Sequence, residues 1–247
     1  MVRRDLTPSP ERVAIMQWTV RIGAVTAEAL ADRLDVHVAS ARGQLQALQK
    51  AGWLSRKRPL AEQPALYAAT RAGLRVAALQ GLDRCRVSAS NARHLIECAW
   101  IAAALEHCYP DHVVLGEREL RRDEHQGGVA LASARLGTAP DGGPLLHRPD
   151  LVLWPRDVPR AEDGAGLPVA VEVELTVKAP RRLAEICRAW ARCRCVAGVL
   201  YIASPQARRA LERAIDREQA GERIAVLGLD AVPRPEGASC PEIDVPA

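Results

Sequence analysis

The sequence contains no phenylalanine, and aromatic residues make up only 3% of its 247 residues. A hydrophobic core must therefore be built mainly from leucine, valine, isoleucine and alanine. Hydrophobic residues still make up 48% of the chain and charged residues 26%, which is typical of a globular protein and not of a disordered one. The length suits one large domain or two small ones.

Several sequence features that would assign a function are also missing. No apolar stretch approaches the length of a membrane span, and no signal-peptide-like segment is present at the start, so we expect a cytoplasmic protein with no membrane partner. No glycine-rich phosphate loop follows a predicted strand, which argues against nucleotide-dependent chemistry. No Ser–His–Asp or Cys–His spacing indicates a nucleophilic catalyst.

We expect the seven cysteines to be reduced thiols and not a disulfide framework, because their number is odd and the expected compartment is reducing. Cys187, Cys193 and Cys195 have a C-x5-C-x-C spacing that does not match a zinc ribbon, and no second pair lies nearby to complete four ligands. We expect free thiols there, with a structural metal as the alternative.

Positive charge is concentrated at the start of the chain. Residues 1–80 contain 12 lysines and arginines against 6 acidic residues, a net charge of +6, whereas the whole chain has a net charge of only +4. The remaining residues therefore carry a net charge of −2. This distribution indicates that the N-terminal third is the part that faces a polyanion.

The same third has a recognisable order of predicted elements. Ser9, Thr26 and Thr70 are suited to cap helices, and leucines at helical spacing mark a third helix that ends at Gly52. Between Gly52 and Thr70, the sequence predicts a strand, a basic loop and a second strand. Two short helices around a tight turn form a helix-turn-helix pattern, and the strand pair after them predicts a β-wing.

This pattern resembles the winged helix-turn-helix family over residues 9–80. The resemblance implies that double-stranded DNA is the partner, with the third helix in the major groove and the wing on the phosphates. The base-reading residues would be His37, Ser40, Arg42 and Gln46, and the phosphate contacts would be Arg56, Lys57 and Arg58. Two alternatives remain open: a winged helix that binds protein, and a His37 that only caps its helix.

The rest of the chain predicts an α/β domain with a mixed sheet flanked by helices. In chain order, the pattern predicts a helix from Ser88 to before Pro110, a strand in 112–119, a long loop or hairpin over 121–147 and strands in 151–155 and 169–178. It then predicts a helix from Pro180, a strand in 196–204, a helix over 205–219 and a strand in 223–229. The predicted organisation is a domain of residues 1–85, a second domain of residues 86–230 and a flexible tail of residues 231–247.

Two glutamates lie on the same side of the apolar strand VAVEVELTVK, residues 169–178. Because a strand has a period of two, Glu172 and Glu174 project together, with Lys178 in phase if the strand continues. One interpretation is a half-solvated strand with a polar face. The other is a metal site, since Asp150 begins the preceding strand and three carboxylates could converge on a hard divalent cation such as Mg²⁺ or Mn²⁺.

The segments "RPD" and "EVE…K" resemble the PD-(D/E)XK nuclease superfamily. The resemblance implies that Asp150 and Glu172 bind the metal, and Glu174 stands where that family usually has a lysine, as in its E-x-E members. Catalytic residues would then be Asp150, Glu172, Glu174 and Lys178, and the metal ligands Asp150, Glu172, Glu174 and, from the first helix, Glu97. An extended strand would place Lys178 far from Glu174, so a phosphate contact is expected for it, shared with Arg181 and Arg182.

A winged helix followed by "HRPDLVLW…VAVEVELTVKAPRRL" also resembles the replication-relaxation family of plasmids and other mobile elements. The first hypothesis is a DNA-binding protein that cuts or nicks DNA with Mg²⁺ or Mn²⁺ at a site chosen by the winged helix. The second is a non-enzymatic regulator of transcription or replication, with a degenerate nuclease-like domain that serves for loading or as a homodimer contact.

Overall fold

The computed structural model describes residues 8–157 and 166–233, and it has the predicted mixed α/β composition. The chain divides into two compact units, the first reaching Ala103 and the second beginning at Ala104. This boundary lies inside a helix, Ala92–Cys108, whereas the sequence placed it at residue 85. Most of the tail predicted to be flexible, residues 234–247, lies outside the described residues.

The first unit begins with short helices joined by tight turns. Its elements are α1 (Pro10–Ile22), β1 (Ala24–Val25), α2 (Ala27–Leu34), α3 (Val38–Lys50), β2 (Leu54–Lys57), β3 (Leu66–Ala69), α4 (Arg71–Val76) and the start of α5 (Ala92–Cys108). Ser9, Thr26 and Thr70 cap α1, α2 and α4 as predicted, since each side-chain oxygen accepts a hydrogen bond from a backbone N–H of the first turn.

The three strands of this unit form a small antiparallel sheet in the order β1-β3-β2. The β2–β3 hairpin contains the basic loop that the sequence predicted. Ala24, Leu66 and Ala68 of the sheet pack with Val87 and Ala92, which lie beyond residue 85. The core of the first unit therefore uses residues that the predicted boundary assigns to the second domain.

Gly73 of α4 marks the closest packing in this unit. A Cβ atom at this position would lie 2.1 Å from the carbonyl oxygen of Trp53 and 2.7 Å from Cε of Met16. Thr70 fixes the approach, because its hydroxyl donates to the carbonyl of Gly52 at 2.7 Å and accepts from the N–H of Gly73. Only glycine lets α4 lie this close to the strand that begins after Trp53.

The second unit contains a five-stranded mixed sheet in the order β10-β9-β8-β7-β4. Its elements after α5 are β4 (His112–Gly116), α6 (Glu117–Gly127), β5 (Ala134–Thr138), β6 (Pro144–His147), β7 (Leu151–Pro155), β8 (Val169–Glu174), α7 (Pro180–Ala191), β9 (Gly198–Ala203), α8 (Pro205–Glu218), β10 (Ile224–Gly228) and a 3-10 turn, Leu229–Ala231. β8 pairs antiparallel with β7 and parallel with β9, so it joins the two kinds of pairing.

Three parts of this unit differ from the sequence prediction. The strand predicted over residues 112–119 ends at Gly116, and α6 begins at Glu117. Residues 121–147 are not one long loop: α6 continues to Gly127, and β5 and β6 form the hairpin that was the alternative. β8 ends at Glu174, four residues earlier than the alternation suggested, and Val177 is 56% exposed instead of facing inward.

The core beneath α7 and α8 lies on the face of the sheet that carries Ala170. Val152, Tyr201 and Ala203 of neighbouring strands belong to the same cluster, together with Trp190 of α7. Trp190 and Tyr201 are nearly or completely inaccessible to water, so they supply much of the aromatic volume of a core that has no phenylalanine.

The cysteines agree with the prediction in part. Cys187, Cys193 and Cys195 are free thiols, as are Cys85 and Cys98. Cys108 is disulfide-bonded, so the prediction of free thiols is wrong at that residue. None of the described helices combines the length and apolar character needed to span a membrane.

Candidate functional site

Asp150 and Glu172 lie on adjacent strands where their pairing stops. The antiparallel register aligns Leu151 with Val171, so its continuation by one residue places Asp150 opposite Glu172. Asp150 Oδ2 accepts a hydrogen bond from the backbone N–H of Val173 at 2.8 Å, which fixes the carboxylate at this position. The structure thus brings together two of the predicted metal ligands.

Glu172 is buried and surrounded by polar groups of the protein. It is 5% exposed, its Oε1 accepts a hydrogen bond from Nε1 of Trp190 at 3.3 Å, and Nε2 of His147 lies 2.6 Å from the same oxygen. Burial raises the pKa of Glu172, and the neighbouring His147 opposes that shift, whereas the charge of Asp150 adds to it. The interpretation of a solvated polar face is therefore wrong.

Glu174 is equally buried and forms an ion pair with Lys178. At the end of the strand, Ser204 donates its N–H to the carbonyl of Glu174 at 2.9 Å and its hydroxyl to that of Leu175 at 3.0 Å, and the chain bends at Thr176. The chain then turns back, so Lys178 lies beside the cluster and not at the far end of an extended strand.

Lys178 forms an ion pair with Glu174 and interacts through its charge with Glu172 and Asp150. Desolvation lowers the pKa of its ammonium group, the charges of Glu172 and Asp150 oppose that shift, and the nearby Arg182 adds to it. The side chain remains 36% exposed, so part of it is in contact with water.

The two arginines predicted to share a phosphate contact with Lys178 lie at the start of α7. The guanidinium of Arg181 is 3.3 Å from Glu185 and that of Arg182 is 3.6 Å from the same carboxylate. Arg181 is 93% exposed, so such a pair contributes little to stability and leaves the side chain free to rearrange. Their phosphate contact stays a prediction.

Glu97 lies on α5, within the first unit, and its side chain is half-buried. Its membership of the metal site stays a prediction. Within the described part of the second unit, no group of three His, Cys, Asp or Glu side chains is arranged closely enough to hold a metal ion as it stands. The carboxylates are thus neighbours on the sheet, but they are not arranged as a closed cage of ligands.

Three further residues of the cluster, His147, Trp190 and Tyr201, were not predicted from the sequence. His147 directly precedes the "RPD" segment at the end of β6, and its ring lies 5.8 Å from that of Trp190 in an edge-to-face contact. Tyr201 is aligned with Glu172 across β8 and β9, and burial together with the charge of Glu172 raises the pKa of its phenol. Only the adjacency of His147 to "RPD" could have been noticed in the sequence, since the other contacts depend on strand register.

The segment that contains His147 and Asp150 is hydrogen-bonded to Glu124 of α6. Arg148 donates from Nε to Glu124 Oε2 at 2.9 Å, and the other oxygen of Glu124 accepts from the N–H groups of Leu131 and Ala132. Glu124 is almost fully buried, so its carboxylate fixes both the strand that leads to Asp150 and the loop before β5.

The residues predicted to contact bases lie on α3 in the first unit. His37 caps the helix, with Nδ1 accepting from the N–H of Ala39 at 3.2 Å, as the alternative interpretation proposed. Ser40, Arg42 and Gln46 are all exposed, opposite the buried face formed by Ala41, Leu45 and Leu48. The guanidinium of Arg42 lies 3.4 Å from Glu28 of α2, an exposed pair.

The three basic residues of the hairpin are exposed at its tip. Arg56 and Lys57 end β2, and Arg58 begins the loop. The Nζ of Lys57 donates to the carbonyl of Val87 at 3.3 Å, and Nε of Arg58 donates to that of Gln63 at 3.2 Å. These contacts are with neutral backbone groups, so the positive charges of the hairpin are not neutralised by them.

Comparison of the chain with protein-family models, curated proteins and solved structures gives no match. The function must therefore be argued from the residues themselves.

Proposed function

We propose that the protein binds double-stranded DNA through its first unit and cleaves a phosphodiester bond with a divalent metal at the cluster in its second unit. The observation that carries the proposal is the meeting of Asp150, Glu172, Glu174 and Lys178 at the ends of β7 and β8. Burying like charges next to one another is unfavourable unless a cation compensates them, and functional sites are the usual place for this arrangement.

The donor chemistry fits Mg²⁺ or Mn²⁺. Carboxylate oxygens are the ligands that these hard cations prefer, and Asp150, Glu172 and Glu174 would hold the ion. The metal would supply positive charge for the phosphate and lower the pKa of a bound water. Lys178 would then contribute a protonated ammonium to the attacked phosphate, and the exposed Arg181 would bind a flanking phosphate.

The position of Lys178 bears on the one departure of this chain from the PD-(D/E)XK pattern, the glutamate at position 174. In that family a lysine usually stands where this chain has Glu174. Here the ammonium of Lys178 lies against the carboxylate of Glu174 from the far side of a turn, so the missing positive charge is supplied from four residues later. We infer that the pair Glu174 and Lys178 replaces the usual lysine.

For the first unit, we infer a winged helix-turn-helix from the order of α1, α2, α3 and the β2–β3 hairpin. The exposed face of α3 would enter the major groove, and the hairpin charges would contact phosphates. Together with the nuclease-like unit, this supports the replication-relaxation family as a proposal and a role in the replication of a plasmid or other mobile element.

A second function is favoured by one specific observation. Glu172 already has polar partners in the protein, Trp190 and His147, and Glu174 has a cationic one, Lys178, so the cluster can be stabilised without a metal. On that view the protein is a DNA-binding regulator, and the polar cluster serves only to fix the ends of β7 and β8. A homodimer would be the expected form of such a regulator.

Incubation of supercoiled plasmid with the full chain and Mn²⁺ or Mg²⁺ separates the two functions. The nuclease predicts nicked or linear product that is lost with chelator, in Glu172→Gln and in Lys178→Met. Glu212→Gln is the matched control, because it removes a largely exposed acidic charge of the same unit whose partner, Arg208 on α8, has no proposed role. Retained DNA binding with no metal-dependent product in the wild type would support the regulator.

A further inference from the structure

Cys193 and Cys195 form a close pair of thiols between α7 and β9. Their Sγ atoms are 3.2 Å apart, and both lie near the carbonyl oxygen of Ser133, at 3.8 and 3.7 Å. Two residues separated by one other place their Cα atoms at most about 7 Å apart, at the upper end of the range that a disulfide bridges. A small movement of the two side chains would therefore bring the sulfur atoms from 3.2 Å to the distance of a disulfide bond.

The segment that carries the pair is held in place by one arginine. Arg223 donates from its guanidinium to the carbonyl of Cys193 at 2.9 Å and to that of Val196 at 2.6 Å. These two bonds fix the backbone on both sides of Cys195. The thiols are consequently kept facing each other instead of sampling separate positions.

The two sulfurs differ in their chemical character. The hydrogen bond between the two sulfurs lowers the pKa of Cys193 to about 7, and the same bond raises the pKa of Cys195. Cys187, on the adjacent helix, is the contrasting case, because burial raises its pKa to about 11. Cys193 is 8% exposed and Cys195 is half-buried, so a small oxidant has access that a protein would lack.

We propose that Cys193 and Cys195 are a redox modification site, at which hydrogen peroxide closes the dithiol to an intramolecular disulfide and a small thiol reopens it. The Cys193 thiolate attacks one peroxide oxygen, the O–O bond breaks, and the released hydroxide takes a proton to become water. Cys195, deprotonated, then attacks Sγ of the Cys193 sulfenic acid and expels its hydroxide, which leaves as a second water. The balance is two thiols and one peroxide to one disulfide and two waters.

This assignment is independent of the proposed nuclease, since it uses no residue of the carboxylate cluster. It also differs from the metal alternative considered for these cysteines. Two sulfurs held 3.2 Å apart are suited to bond to each other, and the described surroundings add a single carbonyl oxygen.

The experiment is brief treatment of the full chain with hydrogen peroxide, followed by alkylation of remaining thiols, trypsin digestion and mass spectrometry. Trypsin cleaves after Arg194, so the peptide that contains Cys193 and the peptide that begins at Cys195 stay together only if a disulfide joins them. We expect this linked species to form with peroxide and to separate with dithiothreitol. Cys85→Ser is the matched control and should give the same linked species.

Single variants test the order of the two steps. In Cys195→Ser, the sulfenic acid at Cys193 has no partner and should be trapped by dimedone. Cys193→Ser removes the hydrogen bond that contributes most to the raised pKa of Cys195, but desolvation still raises that pKa. Trapping at Cys195 in this variant should therefore be lower than trapping at Cys193 in Cys195→Ser, because the thiolate is the reactive form. Absence of the linked species in the wild type, or a disulfide only between two chains, would overturn the proposal.

Discussion

The ammonium of Lys178 lies against the carboxylate of Glu174, although the two residues flank a turn and Glu174 ends a buried strand. The pair places one positive charge at the junction of two acidic strand ends. Its importance differs between the two proposed functions: it is either the catalytic cation of a metal site or the charge that makes a metal unnecessary.

Replacement of Lys178 by methionine should show whether a metal ion can balance the negative charge of Glu174. The variant leaves a carboxylate of 5% exposure without its cation, and we expect the free energy of unfolding to fall by about 1–3 kcal/mol. If Glu174 is a metal ligand, Mn²⁺ should raise the thermal midpoint of Lys178→Met by more than that of the wild type, because the ion replaces the lost charge. Calorimetry with Mn²⁺ and with chelator measures both, and equal midpoints under the two conditions in both proteins would exclude a metal at Glu174.

The pH dependence of stability should identify Glu172. Its pKa in the folded protein is raised above the ordinary value of 4.5, mainly by burial, so the folded state binds the proton more tightly than the unfolded state. This contribution to stability is fully present below pH 4.5 and is lost as the pH rises through the folded-state pKa. Glu172→Gln should therefore gain stability relative to the wild type on going from mildly acidic to neutral pH. Urea titrations across this range measure the difference, which Glu185→Gln should not reproduce.

The hairpin charges should control the salt dependence of DNA binding. If Arg56 contacts one phosphate, Arg56→Gln should reduce the slope of log K against log salt concentration by about one unit. Arg75→Gln is the matched control, since Arg75 is an exposed arginine of the same unit on α4. Equal slopes for Arg56→Gln and the wild type would remove the hairpin from the interface.

Arg42 should affect sequence preference instead. Arg42→Ala is expected to weaken binding to a preferred site by about 1–3 kcal/mol and to leave random DNA little changed. The change also breaks the exposed pair with Glu28, so Glu28→Gln is needed as a control. Competition binding against random duplex measures the preference, and an equal loss on both kinds of DNA would make Arg42 a phosphate contact.

Two glycine variants test the packing of the first unit. Gly73→Ala places a Cβ atom 2.1 Å from the carbonyl oxygen of Trp53 and should cost at least about 1–3 kcal/mol of stability. Gly43→Ala, on the exposed face of α3 with open space around it, should instead stabilise by about 0.5–1 kcal/mol. Thermal unfolding of the two variants should shift in opposite directions.

The period-two pattern was enough to predict that Glu172 and Glu174 share a face of β8, and the position of Asp150 before β7 followed from the same rule. Burial of that face was not predictable from the pattern, because two glutamates in alternation are also typical of a solvated strand. The decisive fact is the packing of α7 and α8 against it, which places Trp190 over Glu172.

The position at which β8 ends could also not be predicted from the alternation of its residues. Thr176 and Val177 are good strand residues and continue the alternation, but Ser204 from the start of α8 holds the carbonyls of Glu174 and Leu175. The position of Lys178 thus depends on a bend at Thr176 and on its ion pair with Glu174, which strand propensity does not reveal. The helix α6 was missed for a different reason, since its sequence is highly charged and leads into a glycine pair, which favours a loop prediction.

The strand order has a consequence for how the site could be assembled. His147, Asp150, Glu172, Lys178, Trp190 and Tyr201 all come from the continuous stretch β6–β7–β8–α7–β9, and the edge strands β4 and β10 contribute none of them. Local unfolding of either edge strand would leave the cluster in place. An insertion that shifts β7, β8 or β9 by a single residue would instead turn the side chains of that strand to the opposite face of the sheet. The register of these strands is therefore constrained most tightly, and a deletion of one residue in the same strand should restore the cluster that an insertion disrupts.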